Sequence, residues 1–294
     1  MAILTGINTK LRGSVGQYTF QRLNGQTVAK EKVEKKSVPT RTLAQMIRRV
    51  RWANLVNLYR AFEGTLHPSF EGKDPKVSDY NMFLQSNIGM SPIALTKDQA
   101  VQGGCVVDAY QITRGQMPAI NVEFGSGDVP ETDIALGSLT LGTSTTVKGF
   151  SDAIIANNNG WRNGDQLSVY IARQIVDALT NVPRVEITAI EFTLDTSDNT
   201  TMVGDLIDIT LFGVVDGCLA LAGPVNGGVA CVHSRKTNGK TLVSTQYFVV
   251  SNSYSSQFNT KAAFEAAIES YGGVNKEDFL TPNIDTELFP NVNP

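Results

Sequence analysis

At 294 residues, 41% of them hydrophobic and 18% charged, the chain has the apolar content to build a sizeable core and too much of it to stay disordered. No apolar run approaches the ~20 residues of a membrane-spanning helix, and Met1-Ala2-Ile3-Leu4-Thr5 lacks a charged region followed by a long apolar one; neither a membrane partner nor a signal peptide is expected. The net charge of −3 hides an asymmetry: residues 1–60 hold twelve Lys/Arg against Glu31 and Glu34, a net of +10, and the rest holds thirteen basic and twenty-six acidic residues, a net of −13.

In chain order, Gly6, Gly13 and Gly16 punctuate a short β-like segment carrying Val15, Tyr18 and Phe20. It runs into Leu23-Asn24-Gly25-Gln26 and Thr27-Val28-Ala29, and Asn-Gly between β-formers predicts a hairpin, because both central residues of a type I′ turn need φ > 0. A lysine-rich run, Lys30 to Lys36, and the break Val38-Pro39-Thr40 follow. Pro39 blocks backward extension of a helix and Thr40 or Thr42 can cap one, so a helix is expected from Leu43 to about Phe62. Its apolar stripe reads Leu43, Met46, Ile47, Val50, then with drift Trp52, Leu55, Val56, Tyr59 and Phe62. Trp52 and Tyr59, at i and i+7, share a face, either as core or as an anchor for another subunit.

Gly64 ends that helix; a loop with Pro68, Gly72 and Pro75 leads to a second helix capped by Ser78, with Tyr80, Phe83 and Leu84 inward and a stop near Asn87-Ile88-Gly89. From about Thr96 short β runs alternate with turns. The runs are Cys105–Thr113, Ala119–Phe124, Asp133–Leu141, Gln166–Arg173, Val185–Leu194, Leu206–Val215, Cys218–Leu221, Gly228–Ser234 and Thr241–Val250. Asn163-Gly164-Asp165, Ser197-Asp198-Asn199 and Asn238-Gly239-Lys240 are among the turns. Many short strands with regular punctuation predict an antiparallel sandwich. Ser151–Asn157 reads as a single helical turn, and Thr260 caps a late helix, Lys261–Tyr271, stopped by Gly272-Gly273. The tail to Pro294 carries the isolated hydrophobes Phe279, Leu280, Leu288 and Phe289, the pattern of an arm that grips another subunit.

Several segments carry a resemblance. Gly6-Ile7-Asn8-Thr9-Lys10-Leu11-Arg12-Gly13-Ser14-Val15-Gly16, the strand ending in Asn24-Gly25, the lysine run, Pro39-Thr40 and the helix with Gln45 resemble an uncharacterised family of gut Bacteroidetes and their phages. So do Ile112-Thr113-Arg114-Gly115-Gln116-Met117-Pro118 and Asn238-Gly239-Lys240 with Ser244-Thr245-Gln246-Tyr247, and, less tightly, Gly160-Trp161-Arg162-Asn163-Gly164-Asp165 with Val169-Tyr170. The resemblance implies a fold type and a phage-virion or surface-assembly setting, and it brings no catalytic residues.

Chemistry-bearing motifs are few. Cys105, Cys218 and Cys231 are too few and dispersed for a disulfide framework, and an odd count leaves a free thiol, as in assembly in a reducing cytoplasm. Cys231-Val232-His233 could place two metal ligands on one strand face, yet a zinc site needs about four; a buried cysteine beside an edge histidine is the plainer reading, and a Cys–His catalytic pair meets the same objection. The glycine-rich Gly125–Asp128 and Gly223–Gly228 lack the context of a phosphate cradle. Asp152 to Asp165 lacks the Gly and terminal Glu of a calcium loop and reads as a turn. Lys30, Lys32, Lys35, Lys36, Arg41, Arg48, Arg49 and Arg51 could neutralise phosphates, but without interleaved aromatics or a base-reading motif any DNA contact would be non-specific.

The expected protein is α+β: a basic hairpin and helical arm (1–95), an antiparallel β-sandwich of immunoglobulin-like or jelly-roll-like kind (96–255), and a late helix with an extended tail (256–294). The leading expectation is a non-enzymatic virion component of a tailed phage (ring, neck, tail or capsid-associated), assembled in the host cytoplasm as a homo-oligomer with other virion proteins. It needs no cofactor, metal or small-molecule substrate. Subunit contacts are expected from Arg12, Tyr18, Phe20, Lys35, Lys36, Arg41, Arg48, Arg49, Trp52, Tyr59, Phe279, Leu288 and Phe289. The alternative is a bacterial sandwich module that binds glycan or protein through loops such as that around Trp161.

Overall fold

The computed structural model describes residues 2–4, 12–23, 26–32, 43–65, 69–90, 93–251 and 253–271. The chain divides into two compact units, 1–42 and 43–294. In the first, β1 (Ala2–Leu4), β2 (Gly13–Val15), β3 (Tyr18–Leu23) and β4 (Gln26–Glu31) form one antiparallel sheet in the order β1-β4-β3-β2. Leu23 faces Gln26 across the β3–β4 ladder, which gives the two-residue connection expected of Asn24-Gly25, although those two residues lie outside the described ones. The β-like segment around Val15 is itself a hairpin: Gly16 has φ 56°, and Val15 pairs with Tyr18.

The second unit starts with α1 (Leu43–Ala61), α2 (Asp79–Asn87) and α3 (Lys97–Val101). There follow β5 (Gln111–Thr113), β6 (Val122–Phe124), β7 (Pro130–Ala135), α4 (Val147–Asn157), β8 (Gln166–Val176), β9 (Pro183–Thr193) and α5 (Val203–Leu206). A 3-10 turn, Ile209–Leu211, precedes β10 (Phe212–Val215) and β11 (Cys218–Leu221). The chain continues through β12 (Gly227–Thr237), β13 (Lys240–Val243), β14 (Gln246–Tyr247), β15 (Val249–Ser251), α6 (Ser255–Phe258) and α7 (Lys261–Ser270). Two antiparallel sheets dominate, β10-β11-β7-β6 and β13-β12-β8-β9, with β15 also paired to β12; β14 and β5 form a small third ladder. The fold is thus α+β with a sandwich-like body. No helix among the described residues is long and apolar enough to cross a membrane.

The longer sheet is buried on both faces. Leu167, Val169, Ile171, Ile190, Phe192, Val229 and Cys231 meet Ile134, Leu136, Leu219 and Leu221 of the facing sheet and Phe150 and Ile154 of α4. The alternate residues Tyr170, Ala172, Ala230 and Val232 meet Leu55, Leu58 and Phe62 of α1 and Phe83 and Leu84 of α2. A strand covered on both sides reads as nearly continuous hydrophobicity, which is why alternation is faint in β8 and β12. A smaller core joins Met46 and Val50 of α1 to Phe264, Ala267 and Ile268 of α7.

Local signals place the helices well. Ser78 accepts from the Asn81 N–H, and Thr260 from the Ala263 N–H, as capping residues do. The helix expected as one turn at Ser151–Asn157 starts four residues earlier, because Thr146 caps it by accepting from the Gly149 N–H. Thr96 and Gln99 form a capping box that opens α3, where β texture was expected to begin.

The strand expected over Cys105–Thr113 is reduced to β5. Its first part is a buried loop in which the Cys105 N–H donates to the Pro183 carbonyl of β9 and several other backbone groups are paired by side-chain amides. Asn54 accepts from the Val106 N–H (2.8 Å) and donates to the Val106 carbonyl (3.0 Å). Asn57 donates to the carbonyls of Ala100 and Gly104, and Gln174 accepts from the Val107 N–H and donates to the Cys105 carbonyl. Buried backbone groups must find partners, and here α1, β8 and β9 supply them. The run Thr241–Val250 likewise breaks into β13, β14 and β15, and Leu206–Val215 is strand only from Phe212.

Candidate functional site

The residues expected at subunit contacts fall into three groups. In the N-terminal sheet Arg12 is exposed, Tyr18 is 55% exposed and Phe20 half-buried, and beside them Val15 is 72% exposed. On α1, Arg48 and Arg49 are exposed and Trp52 is 47% exposed, so the drifting stripe does not continue through Trp52; Leu58, with buried Asn54 and Asn57, takes the inward face. Arg49 places its guanidinium carbon 5.6 Å from the ring centre of Tyr271, and Tyr59 packs on Tyr80 (5.1 Å) and Phe83 (5.5 Å). Lys35, Lys36, Arg41, Phe279, Leu288 and Phe289 lie outside the described residues.

A second constellation joins the end of β12 to the loop before β8. His233 is fully buried on a central strand, not at an edge, and its ring lies 3.8 Å from that of Trp161 at 7°, a close stack. Trp161 is only 8% exposed, so it offers no open platform to a glycan. His233 Nε2 is 2.8 Å from Asp165 Oδ2. Arg235 grips the same carboxylate with two hydrogen bonds, Nε to Oδ1 and Nη2 to Oδ2, each 2.6 Å, and donates also to the Gly160 carbonyl. The Arg162 N–H donates to Asp165 Oδ2 at 2.9 Å.

Burial drives the His233 pKa down, against the opposing pull of Asp165, so the imidazole is neutral and donates through Nε2–H. Burial also pushes Asp165 towards neutrality, but hydrogen bonds from Arg235, His233 and Arg162 outweigh it and hold the carboxyl below its ordinary range. The result is one ionised carboxylate shared by a guanidinium, an imidazole and a backbone amide. It fastens loop 160–165 to β12. His233 Nδ1 is buried without a hydrogen-bond partner, and the ring's full burial keeps it from any group outside the protein. Asn163-Gly164-Asp165 is legible as a turn, and β12 parity puts His233 and Arg235 on one face with Cys231; their meeting across 68 and 70 residues is not legible locally.

The two buried thiols, Cys105 and Cys231, are held in their neutral form. Burial pushes Cys105 up to about 11 and Cys231 to about 12, away from the thiolate needed for nucleophilic or metal chemistry. Among the described residues no group of three His, Cys, Asp or Glu is placed to hold a metal.

The two segments around Arg114 and Thr245, about 130 residues apart in sequence, are brought together. Thr113 Oγ1 donates to the Ser244 carbonyl at 2.7 Å, the Gly115 N–H donates to Thr245 Oγ1 at 3.0 Å, and the Met117 N–H donates to the Val243 carbonyl at 3.0 Å. Gly115 allows this approach: a Cβ there would run into the Val243 carbonyl and Glu71. Asn238 (φ 50°) and Gly239 (φ 73°) make the tight turn that the sequence announces between β12 and β13. No family model, curated protein or solved structure matches the chain.

Proposed function

We propose that the protein is a non-enzymatic structural component of a tailed-phage virion, working by subunit packing, and that its N-terminal sheet completes its burial on a neighbouring subunit. The observation that carries this reading is the N-terminal unit itself. It is one open sheet, grouped apart from the body by its contacts, with Val15 and Tyr18 exposed and only Thr27 and Val28 buried among its described side chains. A sheet of this size needs a second layer, or pairing along its edges β1 and β2, for independent stability. Residues 1–42 carry eight Lys/Arg and two Glu, and the rest of the chain is acidic, so the attraction that sets register is between the sheet of one copy and the body of the next. Head-to-tail contacts of this kind close into rings.

Light scattering on the full chain and on residues 43–294 tests the reading. The full chain should give a defined oligomer, alone or with its virion partners, and the shortened chain a folded monomer. An oligomer of the same size from the shortened chain would refute the role given to the sheet. The second reading, a bacterial sandwich module, has in its favour a cleft in the body; it predicts a full chain that stays monomeric.

A further inference from the structure

Each of the two large body sheets ends on a strand whose outer side pairs with no other strand among the described residues: β9 in the longer sheet and β10 in the shorter one. An unpaired edge is a row of backbone donors and acceptors open to a further strand. In β10 the direction of that row is fixed. The Ala222 N–H donates to the Leu211 carbonyl, so residues 211, 213 and 215 turn their backbone groups to β11 and Val214 turns its own outward. Among the described residues no hydrogen bond reaches the Val214 N–H or carbonyl. Charge separates the two edges. On β9, Arg184 is exposed and Glu186 stands directly opposite Arg173 of β8. Around β10, the exposed Asp205, Asp208 and Asp216 have no cationic partner among the described residues, and no Lys or Arg occurs from 185 to 234. Leu206, 58% exposed, ends α5, which folds against the turn leading into β10: a Cβ on Gly204 would touch Ile209.

The N-terminal sheet carries the complement. Its outer strand β2 is three residues long against the four of β10, and all three are exposed. Val15 and Tyr18 are partners across the β2–β3 ladder and share a face, on which Arg22 also lies, four residues along β3. Arg12, exposed, directly precedes β2. A short open edge with cations and exposed apolar side chains thus matches a short open edge with anions and an exposed leucine. We propose that β2 of one copy pairs along β10 of the next, joining the two sheets, with Arg12 and Arg22 beside Asp205 and Asp208 and with Val15 and Tyr18 against Leu206. The pairing rests on the packing proposed above and names the surface that receives it.

The test is sedimentation velocity of full-length variants, alone and mixed in equal amounts. Arg12→Glu/Arg22→Glu reverses the charge of the sheet. Asp205→Asn/Leu206→Lys/Asp208→Asn makes the body surface positive, and the two asparagines keep an oxygen to accept from the Met202 and Thr210 N–H groups, as the aspartates do. Each variant alone should associate at least about tenfold more weakly than the unaltered chain. The mixture should recover to within about threefold of it, because each sheet then meets an opposite charge on the other variant. Val214→Pro removes an outward donor that folding does not use, so association should weaken about tenfold with the unfolding midpoint unchanged. Undiminished association of the body variant, while the sheet variant is weakened, would overturn β10 as the acceptor and leave the packing itself standing. A mixture no better than its components would overturn the contact between copies, as would a full chain that stays monomeric up to roughly 1 mM.

Discussion

The two units of this chain solve the problem of burial differently. In the body, β8 and β12 lie under two cores, and even in a buried loop the amides of Asn54, Asn57 and Gln174 match backbone groups of residues 104–107. In the N-terminal sheet the described side chains of β2 are all exposed, and Val15 and Tyr18 face water. The body is sufficient to itself. Among the described side chains of the first unit only Thr27 and Val28 are buried, and it is on the exposed ones that the proposed function places a neighbouring subunit.

The comparison is broken first by substitutions in the body, where the effects are largest. Asn54→Ala strands the Val106 N–H and carbonyl inside the core, and an unfolding free energy lower by about 3 kcal/mol is expected from denaturant titration. Removal of the shared carboxylate comes next. Asp165→Asn leaves Arg235 without its counter-charge and gives the neutral His233 a weaker acceptor, a loss of about 2 kcal/mol.

The same cluster makes the body acid-sensitive. Both His233 and Asp165 have folded pKa values below their ordinary ones, so the unfolded chain takes up each proton first. Their contributions are complete near neutral pH. The His233 part is lost as pH falls below about 6.5, and the Asp165 part from about pH 4 down through its lower folded value. Thermal melts across pH 8 to 3 should show both losses, and Asp165→Asn should abolish the second. The smallest effect on stability belongs to the first unit: Val15→Asp and Tyr18→Glu should change the unfolding free energy by less than about 0.5 kcal/mol while weakening association measured by sedimentation.

What was legible in the sequence was local. Ser78 and Thr260 announce their helices because a cap acts within three residues, and Asn238-Gly239 announces its hairpin because a two-residue turn dictates φ. The inward face of α1 was legible only in part. Its buried positions include Asn54 and Asn57, which a hydrophobic count discards, so the apparent stripe slides onto Trp52. The candidate sites were hidden for a related reason: Asp165 meets His233 and Arg235, and Thr113 and Gly115 meet Ser244 and Thr245, through sheet pairings that bring together residues 68 to 131 positions apart. No window along the chain contains both partners of any of these contacts.

Amide hydrogen exchange measured at low and high protein concentration tests the central claim most directly, because it reads both units in one experiment. Protection in β2 and β3 should rise with assembly while β8 and β12, already covered on both faces, stay unchanged. Exchange in β2 and β3 that is equally slow in the isolated monomer would contradict a sheet that waits for its neighbour.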